Sequence, residues 1–310
     1  MANTNSPYTP EQIARVALSL VRGDLVLSRT INRDFEAEFR GGVGFSVNVR
    51  KPATLTARKQ ALRGKNVSYG AGITADRVAE SVVPVQLSNM IYSAVDVSDE
   101  DLTLNLEDFS RQILAPQITA VAEACEDEVV TLMQSVPGDE TLGDAYDVSN
   151  PQKTFTAARK ALRDLRVPAS NLYAAVGTGV YQDLLDAQAL RAVDQSGSDG
   201  ALRDATVGRL HGFTVIECNR LDENEMVFYH RDAFTLAIRA PRVPEGVASG
   251  ASVSGDGFAM RYIRDYDSSL LADRSIISTF IGTKVMTMVR QDTGGDVTPA
   301  IRVVAGGEES

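Results

Sequence analysis

Residues 101–136, DLTLNLEDFSRQILAPQITAVAEACEDEVVTLMQSV, decide how the rest of the chain is read. From Ile118 the apolar positions are Val121, Ala122, Cys125, Val129, Leu132, Met133 and Val136, while Gln117, Glu123, Glu126, Asp127, Glu128 and Gln134 fall mostly between them. This spacing predicts an amphipathic helix with one buried stripe. Asn105 is placed to cap its start, Glu107 and Asp108 stand in the first turn where the helix dipole favours negative charge, and Pro137-Gly138 ends it. Pro116 lacks an N–H and crowds the preceding turn, so a kink is expected there, or two helices with Pro116 at the first position of the second. Read as one rod, Leu106–Val136 would span roughly 46 Å, a spine to which other elements attach.

The 310 residues carry 41 acids against 31 bases, a formal net charge of −10, which argues against a protein whose main task is to grip nucleic acid or an anionic membrane. With 44% hydrophobic residues the chain has the material for a large core. No apolar run approaches the roughly 18 residues of a membrane span. The start, MANTNSPYTPEQ, has neither the basic nor the apolar part of a signal peptide, so the expected site of synthesis and residence is a cytoplasm. Cys125 and Cys218 are the only cysteines and both sit in apolar settings, which reads as buried free thiols.

N-terminal to the spine, residues 1–39 read as an arm, with a short helix over Pro10–Leu27 broken at Gly23. Residues 40–88 read as a long two-stranded hairpin, from the alternation Phe45, Val47, Val49 and the extended run Val82–Leu87. Arg40, Arg50, Lys51, Arg58, Lys59, Arg63 and Lys65 face no Asp or Glu between Glu38 and Asp76. A nucleic-acid contact would want stacking residues, and only Tyr69 is available. A solvated basic loop is the plain reading. The spine is of opposite sign, so a third reading lays this loop, through Arg50, Lys51, Arg58, Lys59, Arg63 and Lys65, on Glu107, Asp108, Glu123, Glu126, Asp127 and Glu128 of a neighbouring subunit.

Beyond a Gly- and Asp-rich loop, Asn150-Pro151 opens a helix running to Val167-Pro168, NLYAAVG is a buried strand, and GVYQDLLDAQAL a helix. Gly197–Gly200 reads as a link. Two apolar runs flank a turn at Leu221–Asn224, so residues 150–257 read as a mixed sheet-and-helix unit. FAMRYIRDYDSSLL and SIISTFIGTKVMTMVR, within 258–293, read as long antiparallel strands returning to the spine unit of 89–149, and 294–310 as a loose tail.

Chemical motifs are few. Gly177-x-Gly179, between strand and helix, stands where a dinucleotide fold places its phosphate loop, but position 182 is Gln and no acidic residue follows at ribose spacing, so a packing glycine is the commoner reason. No Walker, nucleophile-elbow or zinc-protease pattern occurs. Asp265 and Asp267 share a strand face that needs only solvent, and His211 and His230 read as turn or surface residues. Catalytic, cofactor and metal residues are therefore expected to be none.

The order of parts resembles the major capsid protein of tailed bacteriophages, with the Hong Kong 97-type fold. Pro116–Met133 resembles the proline, Ala-rich, acidic helix of that family, above all of the coat proteins typified by the Salmonella podovirus. Val207-Gly208-x-x-x-Gly212-Phe213-x-Val215 with FYHRDAFTLAIR (228–239), and AMRYIRDYD, are similar to its central and final strands. The resemblance implies an α+β chain with an N-terminal arm, an extended β-hairpin loop, a spine helix in a peripheral domain and a mixed α/β axial domain. It implies self-assembly as pentamers and hexamers into an icosahedral head, with a scaffolding protein, a portal and a decoration protein as partners, packaged DNA touched only weakly, no membrane contact and no enzymatic activity. The location it implies is the virion capsid, assembled in the bacterial cytoplasm. An encapsulin-like compartment shell and, less well supported, an α/β enzyme holding a phosphate-containing ligand at Gly177–Gly179 are the alternatives.

Overall fold

The computed structural model describes residues 26–35, 39, 46–51, 57, 81–100, 109–187, 208–247, 249–255, 258–290 and 295–306. In chain order its elements are β1 (Ser46–Lys51), β2 (Ser81–Gln86), β3 (Asn89–Ser98), the spine helix α1 (Ala115–Gln134), α2 (Glu140–Asp144), α3 (Gln152–Asp164), β4 (Leu172–Val176), α4 (Thr178–Asp186), β5 (Arg209–Leu210), β6 (Phe213–Glu217), β7 (Glu225–His230), β8 (Phe234–Arg239), β9 (Ser249–Gly255), β10 (Phe258–Asp267), β11 (Ala272–Val285), β12 (Met288–Val289), β13 (Asp296–Val297) and β14 (Ala300–Val304). The chain is α+β.

A wide π turn over Ser110–Leu114 precedes α1, and Pro116 lies in the first turn of that helix. Proline has no N–H for the carbonyl four residues back, so the register loosens upstream and the regular helix begins where a proline is tolerated. The anticipated interruption is thus a change of helical register. Ile118, Val121, Ala122, Cys125, Val129, Met133 and Val136 are all buried, and Leu132 packs at the margin of the same cluster.

Two sheets flank the spine. The first runs β3-β11-β10-β9, all antiparallel, and β8 also pairs with β11. Phe280 and Ile281 pair with both β3 and β8, so these lie on opposite sides of β11, and β8 takes the side that β10 leaves at Ser278. Gln117, buried at 3% exposure, ties α1 to this sheet. Its Nε2 donates to the Ser93 and Ser275 carbonyls (3.2 and 3.1 Å), and Ser275 Oγ donates to its Oε1 (2.8 Å). Both ends of the amide are satisfied, which is what makes its burial affordable.

The second sheet runs β14-β7-β4-β6-β5, with only β4 and β6 parallel. Alternation along its strands sorts two cores. Ala175, Val227 and Tyr229 face the spine cluster, while Ala174, Val176, Met226 and Phe228 face α3 and α4 on the other side. There Phe228 meets Phe155 and Phe213 edge to face at 4.9 and 5.3 Å. β1 and β2 pair antiparallel, Ser46 with Gln86 through Lys51 with Ser81. Val47, Val49 and Val85 close a third cluster with Phe39, Ala237 and Met286.

Three expectations are corrected. Within the segment read as a loose tail, Ala300–Val304 forms a strand that pairs with β7 and buries Ile301 and Val303. The apolar run 225–239 is two strands in different sheets, since the 3-10 turn Arg231–Ala233 carries the chain from β7 across to β8. β9 likewise belongs to the first sheet, so the mixed unit expected over 150–257 gives up its last part to that sheet and gains β14. The predicted helix over 10–27 lies outside the described residues except at its end, as do the link at Gly197–Gly200, Asn105 and the tip of the basic loop.

Candidate assembly interface

The exposed side of the spine is the surface on which a neighbour's basic loop was expected. Of the anticipated loop residues, Arg58, Lys59, Arg63 and Lys65 lie outside the described residues, as do Glu107 and Asp108 on the helix. Arg50 and Lys51 occupy the last two positions of β1, opposite Val82 and Ser81.

The four spine acids that are described differ sharply. Glu126 is buried at 4% exposure, so it is not part of that surface. Leu27 N–H donates to its Oε2 (3.0 Å) and Ser28 N–H to its Oε1 (3.2 Å). Burial pushes its carboxyl pKa up, against the pull of these donors and of Arg220. Glu123 and Asp127, one turn apart, are both engaged by Arg220 from the turn after β6: one guanidinium nitrogen lies 3.5 Å from Glu123 Oε2 and another bonds Asp127 Oδ1. Glu128 accepts from Asn89 Nδ2 at 3.3 Å. Part of the spine's negative charge is therefore answered within the subunit. The residue that answers it, Arg220, follows a buried cysteine in an unremarkable turn and gives no local sequence signal.

Glu126 also reveals a strap that the sequence did not announce. Leu27 and Ile31 are buried at 1% exposure, and Asn32 bridges to β8 through Asn32 N–H to the Phe234 carbonyl and Leu236 N–H to the Asn32 carbonyl, both 3.0 Å. Thr30 Oγ1 shares a short hydrogen bond with the hydroxyl of fully buried Tyr229, and Arg231 pairs with Asp34 at 2.9 Å. The strap thus crosses the spine and both sheets. The visible signal was the pair Leu27 and Ile31, four residues apart.

The glycine turn is a packing device. Gly177 N–H donates to the Glu225 carbonyl (2.8 Å) and Val180 N–H to that of Glu223 (3.1 Å). A Cβ on Gly177 would collide with the Asp222 carbonyl, and one on Gly179 would lie 3.0 Å from that of Glu223. The Asp222, Glu223 and Glu225 carbonyls crowd this turn and take up the N–H groups of Gly177 and Val180, an arrangement that favours the packing role of the glycines over a phosphate loop.

No group of three or more metal-ligating side chains occurs among the described residues. His211 (φ 47°) and Gly212 (φ 90°) form the two-residue turn joining β5 to β6, and the His211 carbonyl accepts from the Arg159 guanidinium. His230, expected at a turn or surface, is buried at 4% exposure. Its Nδ1 accepts from Asp232 N–H (3.2 Å), and burial lowers its pKa. Cys125 and Cys218 are buried and free, and burial raises both thiol pKa values, that of Cys125 to about 12. Asp265 is exposed, whereas Asp267 caps its own turn by accepting from Ser269 N–H (3.0 Å).

No family model matches the chain, and no curated protein matches it. Solved structures do. A chain of Mycobacterium phage Che8 superposes with a TM-score of 0.62 at 19% identity over 90% of each chain. A capsid structure of the cyanophage P-SCSP1u gives 0.58 at 14% identity, covering 86% of this chain and 84% of that one. The mature capsid of bacteriophage PhiM1 gives 0.56 at 14% identity with the same coverage. The chain has the fold of phage capsid chains, and it has that fold over nearly its whole length.

Proposed function

We propose that this chain is the major capsid protein of a tailed bacteriophage, a structural and non-enzymatic subunit that assembles into the icosahedral head around packaged DNA. One observation carries the reading: the match to phage capsid chains extends over 84–90% of both partners, so the whole architecture is shared and not merely one sheet. The spine, with β3 and β8–β11, serves as the peripheral unit, and the sheet β14-β7-β4-β6-β5, with α3 and α4, as the axial unit around fivefold and sixfold centres. Residues 40–88 serve as the extended loop, resting its basic residues on a neighbour's spine, where Glu123, Asp127 and Glu128 are the acids at the surface. A scaffolding protein and a portal are the expected partners, with assembly in the host cytoplasm and residence in the virion.

The test is expression with and without the neighbouring phage genes, followed by size-exclusion chromatography with light scattering. Particles or capsomers of five or six subunits support the reading, and a protein that stays monomeric under every combination refutes it.

A further inference from the structure

Among the described residues β3 is hydrogen-bonded to a strand on one side only, to β11. The register fixes which groups face the other side. Asp99 N–H donates to the Leu271 carbonyl (3.3 Å), one step past the paired Ser98 and Ala272, so the odd-numbered residues of β3 are those bonded to β11. Met90, Tyr92, Ala94 and Asp96 therefore turn both N–H and C=O away from β11. Their side chains share the face opposite the spine, where Met90 is 49% and Tyr92 63% exposed, and Ala94 is exposed as well. Phe280 and Ile276, the β11 partners of Met90 and Ala94, widen this apolar face.

Free sheet edges are ordinarily guarded by charge, proline or a covering segment. The β14 edge is covered by Gly138, bridged to Arg302, and by Asp139, whose N–H donates to the Arg302 carbonyl at 2.7 Å. β1 ends in Arg50 and Lys51, and β9 is serine and glycine apart from Ala251 and Val253. β3 has no such guard. From Ser81 to Val95 the sequence carries no charged residue, in a chain that is 23% charged. The first charge reached, Asp96, is held by two bonds from Arg274 at 2.6 and 3.0 Å. An edge that is uncharged along its free side and apolar on its outer face is suited to being paired.

We propose that β3 pairs antiparallel with β3 of a second copy, about a twofold axis through Tyr92. In that register Tyr92 lies opposite Tyr92, Met90 opposite Ala94, and Ser88 opposite Asp96 of the second copy. Every one of these pairs keeps its side chains on a single face, and the ladder uses the N–H and C=O groups that β11 leaves over. The largest side chain meets its own copy as an aromatic cross-strand pair, Met90 meets a small residue, and no like charges face each other. An axis through Ser93 would instead set Met90 against Asp96 and its arginine. A second copy is favoured as the occupant because the strand complements itself. It offers no base to a nucleic acid and no charge by which a foreign segment would be steered into register. The contact is isologous, the same surface on both subunits. It adds a named subunit contact to the capsid reading and rests on that reading for the assembly it serves.

The test uses the full-length chain, co-expressed with its candidate scaffold and oxidised mildly before a non-reducing denaturing gel. Residues opposite each other in a hydrogen-bonded pair have Cα atoms about 5.5 Å apart, within disulfide reach. Tyr92→Cys should therefore give a covalent dimer. Met90→Cys should give at least tenfold less, because the two copies of residue 90 stand four residues apart along the ladder, about 13 Å. Met90→Cys mixed with Ala94→Cys should restore the dimer. In a separate variant, Ala94→Pro removes an N–H that β11 does not use, so the subunit should fold while its assembled fraction falls at least tenfold. Should circular dichroism show that the proline impairs folding, Tyr92→Lys serves, since it sets like charges across the axis. A Tyr92→Cys chain that stays monomeric on the gel overturns the inference, as do equal cross-linking at 90 and 92, a cross-link to a different protein, or normal assembly of the folded edge variant. If the wild-type chain forms no particle at all, the capsid reading fails separately. The edge contact is then read from the Tyr92→Cys chain in solution, where a covalent dimer absent from Met90→Cys sustains it and no dimer ends it.

Discussion

The carboxylate of Glu126 in the middle of the spine accepts the backbone N–H of Leu27, 99 positions earlier, at 3.0 Å, and with the same head group that of Ser28 at 3.2 Å. An acid on the buried stripe of a helix is tolerable because it answers two backbone donors that the folded strap would otherwise leave buried and unpaired. Glu126→Ala strands both donors and should lower the unfolding free energy by about 2–4 kcal/mol. Glu126→Gln keeps one acceptor oxygen and should lose less. Urea denaturation of the three proteins checks the order, and an alanine variant as stable as the parent would refute the role.

The same carboxyl makes a pH prediction. Its folded-state pKa is raised by burial, so between the ordinary carboxylate value and the raised one the folded chain holds more protons than the unfolded chain. Ionisation in that window works against folding. The parent should therefore lose stability relative to Glu126→Gln as pH rises through the window. A difference that is flat, or that grows with pH, would contradict this assignment.

Gly177 separates the packing reading from the ligand reading. Gly177→Ala drives a Cβ into the Asp222 carbonyl and should cost about 1–3 kcal/mol, as overpacking does. Added nucleotide should leave the melting temperature of the parent unchanged. A nucleotide-dependent rise in the parent, lost in the variant, would restore the ligand reading.

The spine was legible because seven apolar residues recur at helical spacing and the burial follows them. Glu126 was not, because an acid between apolar positions looks like the solvent face until its partners, far back in the chain, are brought to it. The run 225–239 concealed a change of sheet because both halves are apolar and only Arg231–Ala233 parts them. Ala300–Val304 was hidden by its shortness, since five residues become a strand only when β7 offers an edge. The acidic and basic stretches were visible, but Arg220, which neutralises part of the spine, arrives from another sheet.

The two thiols should be inert in the native chain. Both are buried with raised pKa, so alkylation at pH 8 should be slow until urea is added, after which two equivalents of reagent should react. Rapid labelling of either cysteine without denaturant would show that the spine cluster opens.

Arg220 braces the second sheet against the spine, yet its partners Glu123 and Asp127 are half exposed. A double-mutant cycle between Arg220→Ala and Asp127→Ala should give a coupling of only about 0.2–1 kcal/mol, shrinking as salt is raised. A salt-independent coupling of several kcal/mol would mean that the pair is far better shielded from water than its exposure indicates.

The basic loop should matter to assembly and not to folding. Reversing Arg58, Lys59 and Arg63 together should leave thermal unfolding of the monomer unchanged while impairing particle formation, and particle formation in the parent should weaken with salt. Normal particles from the triple variant would exclude the loop-on-spine contact.

The central claim is tested most directly by cryo-electron microscopy of the chain purified after co-expression with its candidate scaffold. The expected result is a closed icosahedral shell, with the β14-β7-β4-β6-β5 sheet around its fivefold and sixfold axes and α1 running through the wall. A protein seen only as monomers or irregular small oligomers, or a shell with that sheet away from the axes, would contradict it.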